Sequence, residues 1–158
     1  MALSSKLVGK HFRYPEHYEV GREKIREHAL AVKNDDAFYR DENVAAELGH
    51  SALPAALTFI CIFGYQAQLA FLHDANIGVE DAQIVQVDQA LKFVKPIFAG
   101  DKLYADVYVD SVRQAHGTDL IVFKTIITDD AGDVVQETYT ALAGRTGEDG
   151  EGFSDGAA

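Results

Sequence analysis

Two hydrophobic patterns divide the chain: apolar positions recur at helical spacing in the first half and alternate in the second. After Gly21, the run REKIREHALAV places Ile25, Ala29 and Val32 at i, i+4 and i+7, which predicts an amphipathic helix of about three turns. Asn34-Asp35-Asp36 is the expected stop. Lys10 to Val20 is polar and aromatic, the pattern of irregular chain with a short strand. Phe38 to Leu53 reads as loop or short helix, closing near Gly49 and Pro54. The stretch Ala55 to Leu72, AALTFICIFGYQAQLAFL, has clearly polar side chains only at Thr58, Gln66 and Gln68. A helix apolar on every side is either buried or in a bilayer. Two glutamines in its second half, no closely flanking Lys or Arg, and His73-Asp74 immediately after it favour burial. Its length would be about 27 Å, ending near Asn76-Ile77-Gly78.

Beyond that point β-formers dominate. Gln83 to Phe98 alternates in part and ends at the turn residues Pro96, Gly100 and Asp101. In Leu103 to Val112, residues Leu103, Ala105, Val107 and Val109 share one face, and Tyr104, Asp106, Tyr108 and Asp110 the other. His116-Gly117 turns the chain into a third strand, Leu120 to Thr128. Asp129 to Asp133 is a strong hairpin signal, and Val134 to Ala143 is the fourth strand. The short connections make these strands antiparallel. The predicted class is α+β: one domain, residues 1–145, with a long central helix wrapped by a curved antiparallel sheet. A single such sheet leaves an edge strand open, so pairing with a second domain is expected. The closing segment 146–158, TGEDGEGFSDGAA, is acidic and glycine-rich and is expected to be a flexible tail.

Composition narrows the partners. With 25 acids against 14 Lys plus Arg, the formal charge of −11 argues against nucleic acid and anionic membrane. A single cysteine excludes an intrachain disulfide and multi-cysteine metal sites. Met1 to Lys10 has no apolar secretory stretch, so a cytoplasmic location is the expectation.

Candidate chemistry is sparse. The six histidines have no metal-ligand spacing, so no metal or cofactor is expected, and no phosphate-loop or nucleophile-elbow motif occurs. Cys61 lies on the apolar helix between Ile60 and Ile62 with no charged neighbour to activate it. It reads as a small buried hydrophobe, or as a wall of an apolar ligand channel. Asn34-Asp35-Asp36 with Tyr39 reads as a helix stop and polar loop, unless a family pattern assigns it more.

Four segments carry such a pattern: NDDAFYRDENVAAELG, ALTFICIFGYQAQ, LKFVKPIFAGDKLYADVYVDSV and QETYTALAGRTGEDGEG. Together they resemble the MaoC-like hotdog hydratases and dehydratases. Within that family they are most similar to the substrate-holding subunits of heterodimeric (3R)-hydroxyacyl-ACP dehydratases of mycobacterial type. The family's signature, approximately G-D-x-N-P-x-H, supplies an Asp and a His that exchange protons at the substrate's Cα and 3-hydroxyl. Aligned without a gap it falls on Lys33 to Tyr39, with Asn34 at the Asp position and Tyr39 at the His position. Asn cannot ionise, and tyrosine titrates near ~10. A shift by one residue brings Asp35 to the first position but Arg40 to the second. The resemblance therefore implies a chain without the dyad, partnered by a catalytic hotdog subunit. The pair would act on a long 3-hydroxyacyl thioester carried by acyl carrier protein in type II fatty acid (mycolic acid) elongation. Leu57, Phe59, Cys61, Ile62 and Tyr65 are the candidate acyl-chain lining.

The loop before the helix departs from the expected pattern, with Ala52 and Ala56 where a glycine and a proline are usual, so the channel mouth is expected to differ in shape. Carrier proteins are acidic, so the net charge places their main docking site on the partner, with Lys92, Lys95 and Lys102 as a local alternative. Two other functions fit the same segments: a self-sufficient homodimeric hydratase or thioesterase using Asp35 or Asp36, and a non-enzymatic acyl-binding module.

Overall fold

A computed structural model describes residues 5–78, 84–145 and 153–155. Short strands β1 (His11–Arg13) and β2 (Tyr18–Glu19) precede helix α1 (Arg22–Ala31) and the short helix α2 (Glu42–Glu47). A 3-10 turn at Leu57–Phe59 then leads into the central helix α3 (Ile60–Asp74). Strand β3 (Ile77–Gly78) follows, then the long strands β4 (Ile84–Phe93), β5 (Lys102–Ala115), β6 (Thr118–Thr128) and β7 (Val134–Arg145). Strand β8 (Ser154–Asp155) closes the order.

The main sheet has the order β1-β5-β6-β7-β4, all antiparallel, with β2 also on β5. Its turns form where the sequence placed them. At the β6–β7 hairpin Asp129 Oδ1 accepts the Ala131 and Asp133 N–H groups, and Gly132 takes φ 83°. Gly100, at φ 94°, turns the chain beside Asp101, whose Oδ2 accepts the Phe98 N–H. The inner-face alternation of β5 holds: Leu103, Ala105, Val107 and Val109 are buried. It ends at a bulge between Val109 and Ser111.

α3 lies over β5 and β6. Phe63, Ala67 and Phe71 bury fully there, with Phe71 edge-on to Phe123. Tyr14 and Tyr18 flank Phe63, and Phe12 meets Phe71. The segment carrying β1 and β2 thus covers one edge of β5 and one flank of α3 together.

Several expectations change in detail. α1 ends before Asn34: Lys33 takes the left-handed φ of 56°, and the Asn34 N–H returns to the Ala29 carbonyl. Val32, expected on the buried stripe, falls past the helix end and is 48% exposed. α3 runs about 22 Å, starting later and ending later than the apolar run, and Asn76 at φ 52° follows its end. It is not enclosed on every side. Leu57 and Tyr65 are 63% and 62% exposed, and Ile62 and Leu69 are half-buried. Of the segment 146–158, residues 153–155 are described: Phe153 is 3% exposed in the core and β8 pairs with β3. The rest of that segment lies outside the described residues.

Two buried glycines serve opposite ends. A Cβ on Gly144 would lie 2.8 Å from the Phe153 ring, so its missing side chain admits that ring. A Cβ on Gly64 would meet nothing within 4 Å, although glycine inside a helix costs about 1 kcal/mol relative to alanine. Gly144→Ala is expected to destabilise the protein by roughly 1–3 kcal/mol through overpacking. Gly64→Ala is expected to stabilise it by up to about 1 kcal/mol. Chemical denaturation of both variants checks this; destabilisation by Gly64→Ala would show that the space at Gly64 is filled.

Candidate functional site

The end of α1 and the start of the α3 segment come together around a cavity of about 400 Å3. Its lining is Val32, Lys33, Asn34 and Tyr39 on one side and Ala56, Leu57 and Thr58 on the other. The loop has local reasons for its shape. Asn34 Oδ1 accepts the Asp36 N–H at 3.3 Å, an Asx-type turn. Tyr39 packs on Phe38 with ring centroids 4.2 Å apart. Arg40 donates from Nη2 to the Asp35 carbonyl at 2.7 Å. Asp41 then caps α2 by accepting the Asn43 and Val44 N–H groups.

The structure therefore brings Asn34 and Tyr39 to one cavity, beside the start of the central helix. Neither Asp35 nor Asp36 is among its lining residues, and both are exposed. The polar groups at this site are an amide, a phenol, the Thr58 hydroxyl and the Lys33 ammonium. Neither a carboxylate nor an imidazole is among the lining residues.

Sequence reasoning missed His28. It projects from α1 with Nε2 3.1 Å from Thr58 Oγ1, and its ring meets Phe59 edge-on at 5.6 Å. Burial against these groups holds its imidazole below the ordinary value. Its spacing of three from Ile25 on α1 was the available signal.

The five candidate lining residues separate. Leu57 and Tyr65 are exposed, and Cys61 and Ile62 are half-buried. Phe59 is fully buried behind them, between Tyr18 and His28. Cys61 points toward β4, with Sγ 3.9 Å from Gln89 Oε1, and burial raises its thiol pKa. It lacks thiolate character. The lysine cluster is largely neutralised: Lys95 bonds Asp129 and Asp133 at 3.0 and 2.6 Å, and Lys92 lies 3.7 Å from Glu137. Among the described residues no cluster of His, Cys, Asp or Glu could hold a metal ion, and no helix is long and apolar enough to cross a membrane.

Comparison with known proteins bears on the family and the fold. Residues 6–138 match the model of the FAS1-like, dehydratase domain region. A UPF0336 protein of Mycobacterium tuberculosis is 71% identical over 158 residues, spanning all of both chains. A solved structure of the C-terminally truncated HadBC (3R-hydroxyacyl-ACP dehydratase) complex from Mycobacterium tuberculosis superposes with a TM-score of 0.80 at 43% identity. That match covers 90% of this chain and 100% of that one. A MaoC-like dehydratase also gives 0.80, at 33% identity, covering 90% of this chain and 43% of that chain. The chain belongs to the MaoC-like hotdog dehydratase family.

The folded state holds His28 neutral more readily than the unfolded chain does. Its contribution to stability is therefore intact above the unfolded value near ~6.5 and is lost as pH falls toward the lower folded-state value. Urea unfolding across this window should show stability falling with pH, and a shallower fall in His28→Gln. Equal slopes for the two proteins would assign the effect to other groups.

Proposed function

We propose that this chain is the substrate-holding, non-catalytic subunit of a heterodimeric (3R)-3-hydroxyacyl-ACP dehydratase of type II fatty acid (mycolic acid) elongation. The observation that carries the reading is the cavity between α1 and α3. The loop that carries Asn34 and Tyr39 lies across it from Ala56, Leu57 and Thr58, and by the ungapped comparison those two residues take the places of the signature's Asp and His. Neither an Asp nor a His, the pair that transfers protons in the family signature, is among the residues that line the cavity.

A second hotdog subunit then supplies the Asp and the His. Its His takes the Cα proton, and its Asp helps the 3-hydroxyl leave as water, giving the trans-2-enoyl thioester. The apolar surface left uncovered on this chain supports such a partner. Val85, Val87 and Phe93 of β4 are exposed beside that strand's open edge, and Leu57 and Tyr65 are exposed on the α3 segment. Pairing through β4 would satisfy the edge and cover both patches. The acyl tail runs along Leu57, Cys61, Ile62 and Tyr65, with Phe59 backing them. With a charge of −11 here and Lys92 and Lys95 already paired, the acidic carrier protein docks mainly on the partner.

Enoyl-thioester hydration should be absent for this chain alone and present when it is co-expressed with an Asp/His hotdog subunit. Activity of the chain alone, abolished by Asp35→Asn or Asp36→Asn, would overturn the reading. In the active pair, Cys61→Trp should reduce turnover of long acyl substrates about tenfold or more while changing short ones little. Each buried CH2 lost from the groove forfeits about 0.8 kcal/mol. Equal loss for long and short substrates would remove Cys61 from the channel wall.

A further inference from the structure

The inner face of the sheet changes character from β6 to β7. Under α3 it presents Ile121, Phe123 and Ile127, all fully buried. On β7 the same face carries Gln136, Thr138 and Thr140, whose β6 partners are Ile127, Thr125 and Phe123. One part of this polar strip is satisfied. Gln68, reaching from α3, donates from Nε2 to Thr125 Oγ1 at 3.3 Å and to Thr140 Oγ1 at 3.0 Å. The other part is not. Thr138 and Gln136 are each 2% exposed, yet Thr138 Oγ1 and Gln136 Nε2 have no hydrogen-bond partner among the described residues. Buried polar groups are rarely left so, because they lose hydration with no return.

The space at Gly64 lies toward the same groups. Phe71 meets Phe123 and Gln68 meets Thr125, so α3 traced toward its N-terminus advances along β6 from 123 toward 127. One turn before Gln68 is Gly64, so this advance carries it past the Thr125–Thr138 pair toward Ile127 and its β7 partner Gln136. Gly64 is buried, its backbone needs no positive φ, and room for a side chain beside it is left empty. Among the described residues nothing packs into that space, and the backbone there does not call for glycine. On the far side of β7, the β4 partners of Thr138 and Gln136 are Leu91 and Phe93, half-buried and 45% exposed. The strip thus leads from beneath α3 to the open edge of the sheet.

We propose that Gly64 keeps open a channel between α3 and β7 for an acyl chain. A hydroxyl or carbonyl oxygen on that chain is held by Gln136 Nε2 and Thr138 Oγ1. The inference rests on the acyl-holding role given above and deepens it. It moves the ligand beneath the helix as well as along its outer face, and it adds a polar station to an otherwise apolar wall. The oxygen comes either from the 3-hydroxyacyl end or from a position further along the chain.

The test uses the full chain co-expressed with an Asp/His hotdog subunit, and reads equilibrium binding rather than turnover. The probes are the primary amides of hexadecanoic, 3-hydroxyhexadecanoic and ω-hydroxyhexadecanoic acid. At least one hydroxylated amide should bind about fivefold more tightly than the plain one, the size of a single hydrogen bond. Thr138→Val should abolish that preference and leave the plain amide unchanged. The favoured hydroxylated amide identifies which oxygen is held. Gly64→Val should weaken all three by about tenfold or more, and the smaller Gly64→Ala should weaken them without lowering the melting temperature. Equal binding of all three probes by the unmodified protein, or a preference that survives Thr138→Val, would overturn the polar station while leaving the acyl-holding role intact. Binding of none would overturn both.

Discussion

The placement of α3 over β5 and β6 is the constraint from which the other features follow. Phe63, Ala67 and Phe71 bury without residual exposure on that half, worth roughly 1.5–3 kcal/mol for each large side chain. The segment carrying β1 and β2 seals the adjacent edge and flank through Phe12, Tyr14 and Tyr18. Among the described residues no strand pairs with the far edge of β4. There the inner face of β7 turns polar, β4 keeps an open edge, and one side of α3 retains exposed apolar residues.

A protein built this way is complete on one side only. Exposed strand edges and large apolar patches are liabilities for a lone domain. Here they coincide with the side from which a second hotdog domain would continue the sheet. The same placement sets the start of the α3 segment against the loop after α1. That loop brings Asn34 and Tyr39 to the cavity. Asn34 serves as a turn residue, Tyr39 as a packing residue on Phe38, and His28 as the neighbour of Thr58. Their roles are positional and steric, which suits a surface that shapes a ligand while another subunit performs the proton transfers.

How much was legible in the sequence depended on whether the physics was local. The β5 alternation from Leu103 to Val109, the Asp129–Asp133 hairpin and the apolar run ending in AFL each follow from periodicity or turn chemistry within a few residues. The degenerate signature at Asn34 and Tyr39 was also visible, because a one-residue comparison tells whether a side chain can ionise. Where α1 ends was not, since Lys33 adopts a left-handed backbone that its residue type does not favour. Nor was the anchoring of Phe153, whose flanking glycines and acids suggested an unpacked tail. Its place depends on Gly144, distant in sequence, having no side chain.

The sequence by itself determined that one long apolar helix would be covered by an antiparallel sheet, that the chain is acidic, and that Asn34 and Tyr39 stand where an ungapped comparison puts the signature's Asp and His. These are properties of composition and spacing. Tertiary structure alone decided which face of that helix is covered, because an all-apolar helix has no polar stripe to orient it. It also decided that Phe59 goes to the core while Leu57 and Tyr65 face outward, and that Lys95 is held by Asp129 and Asp133. Only the register of β6 against β7 let Gln68 reach both Thr125 and Thr140 while Thr138 Oγ1 and Gln136 Nε2 find no partner among the described residues. No local pattern encodes that meeting, since it joins three elements whose separations along the chain carry no periodic signal.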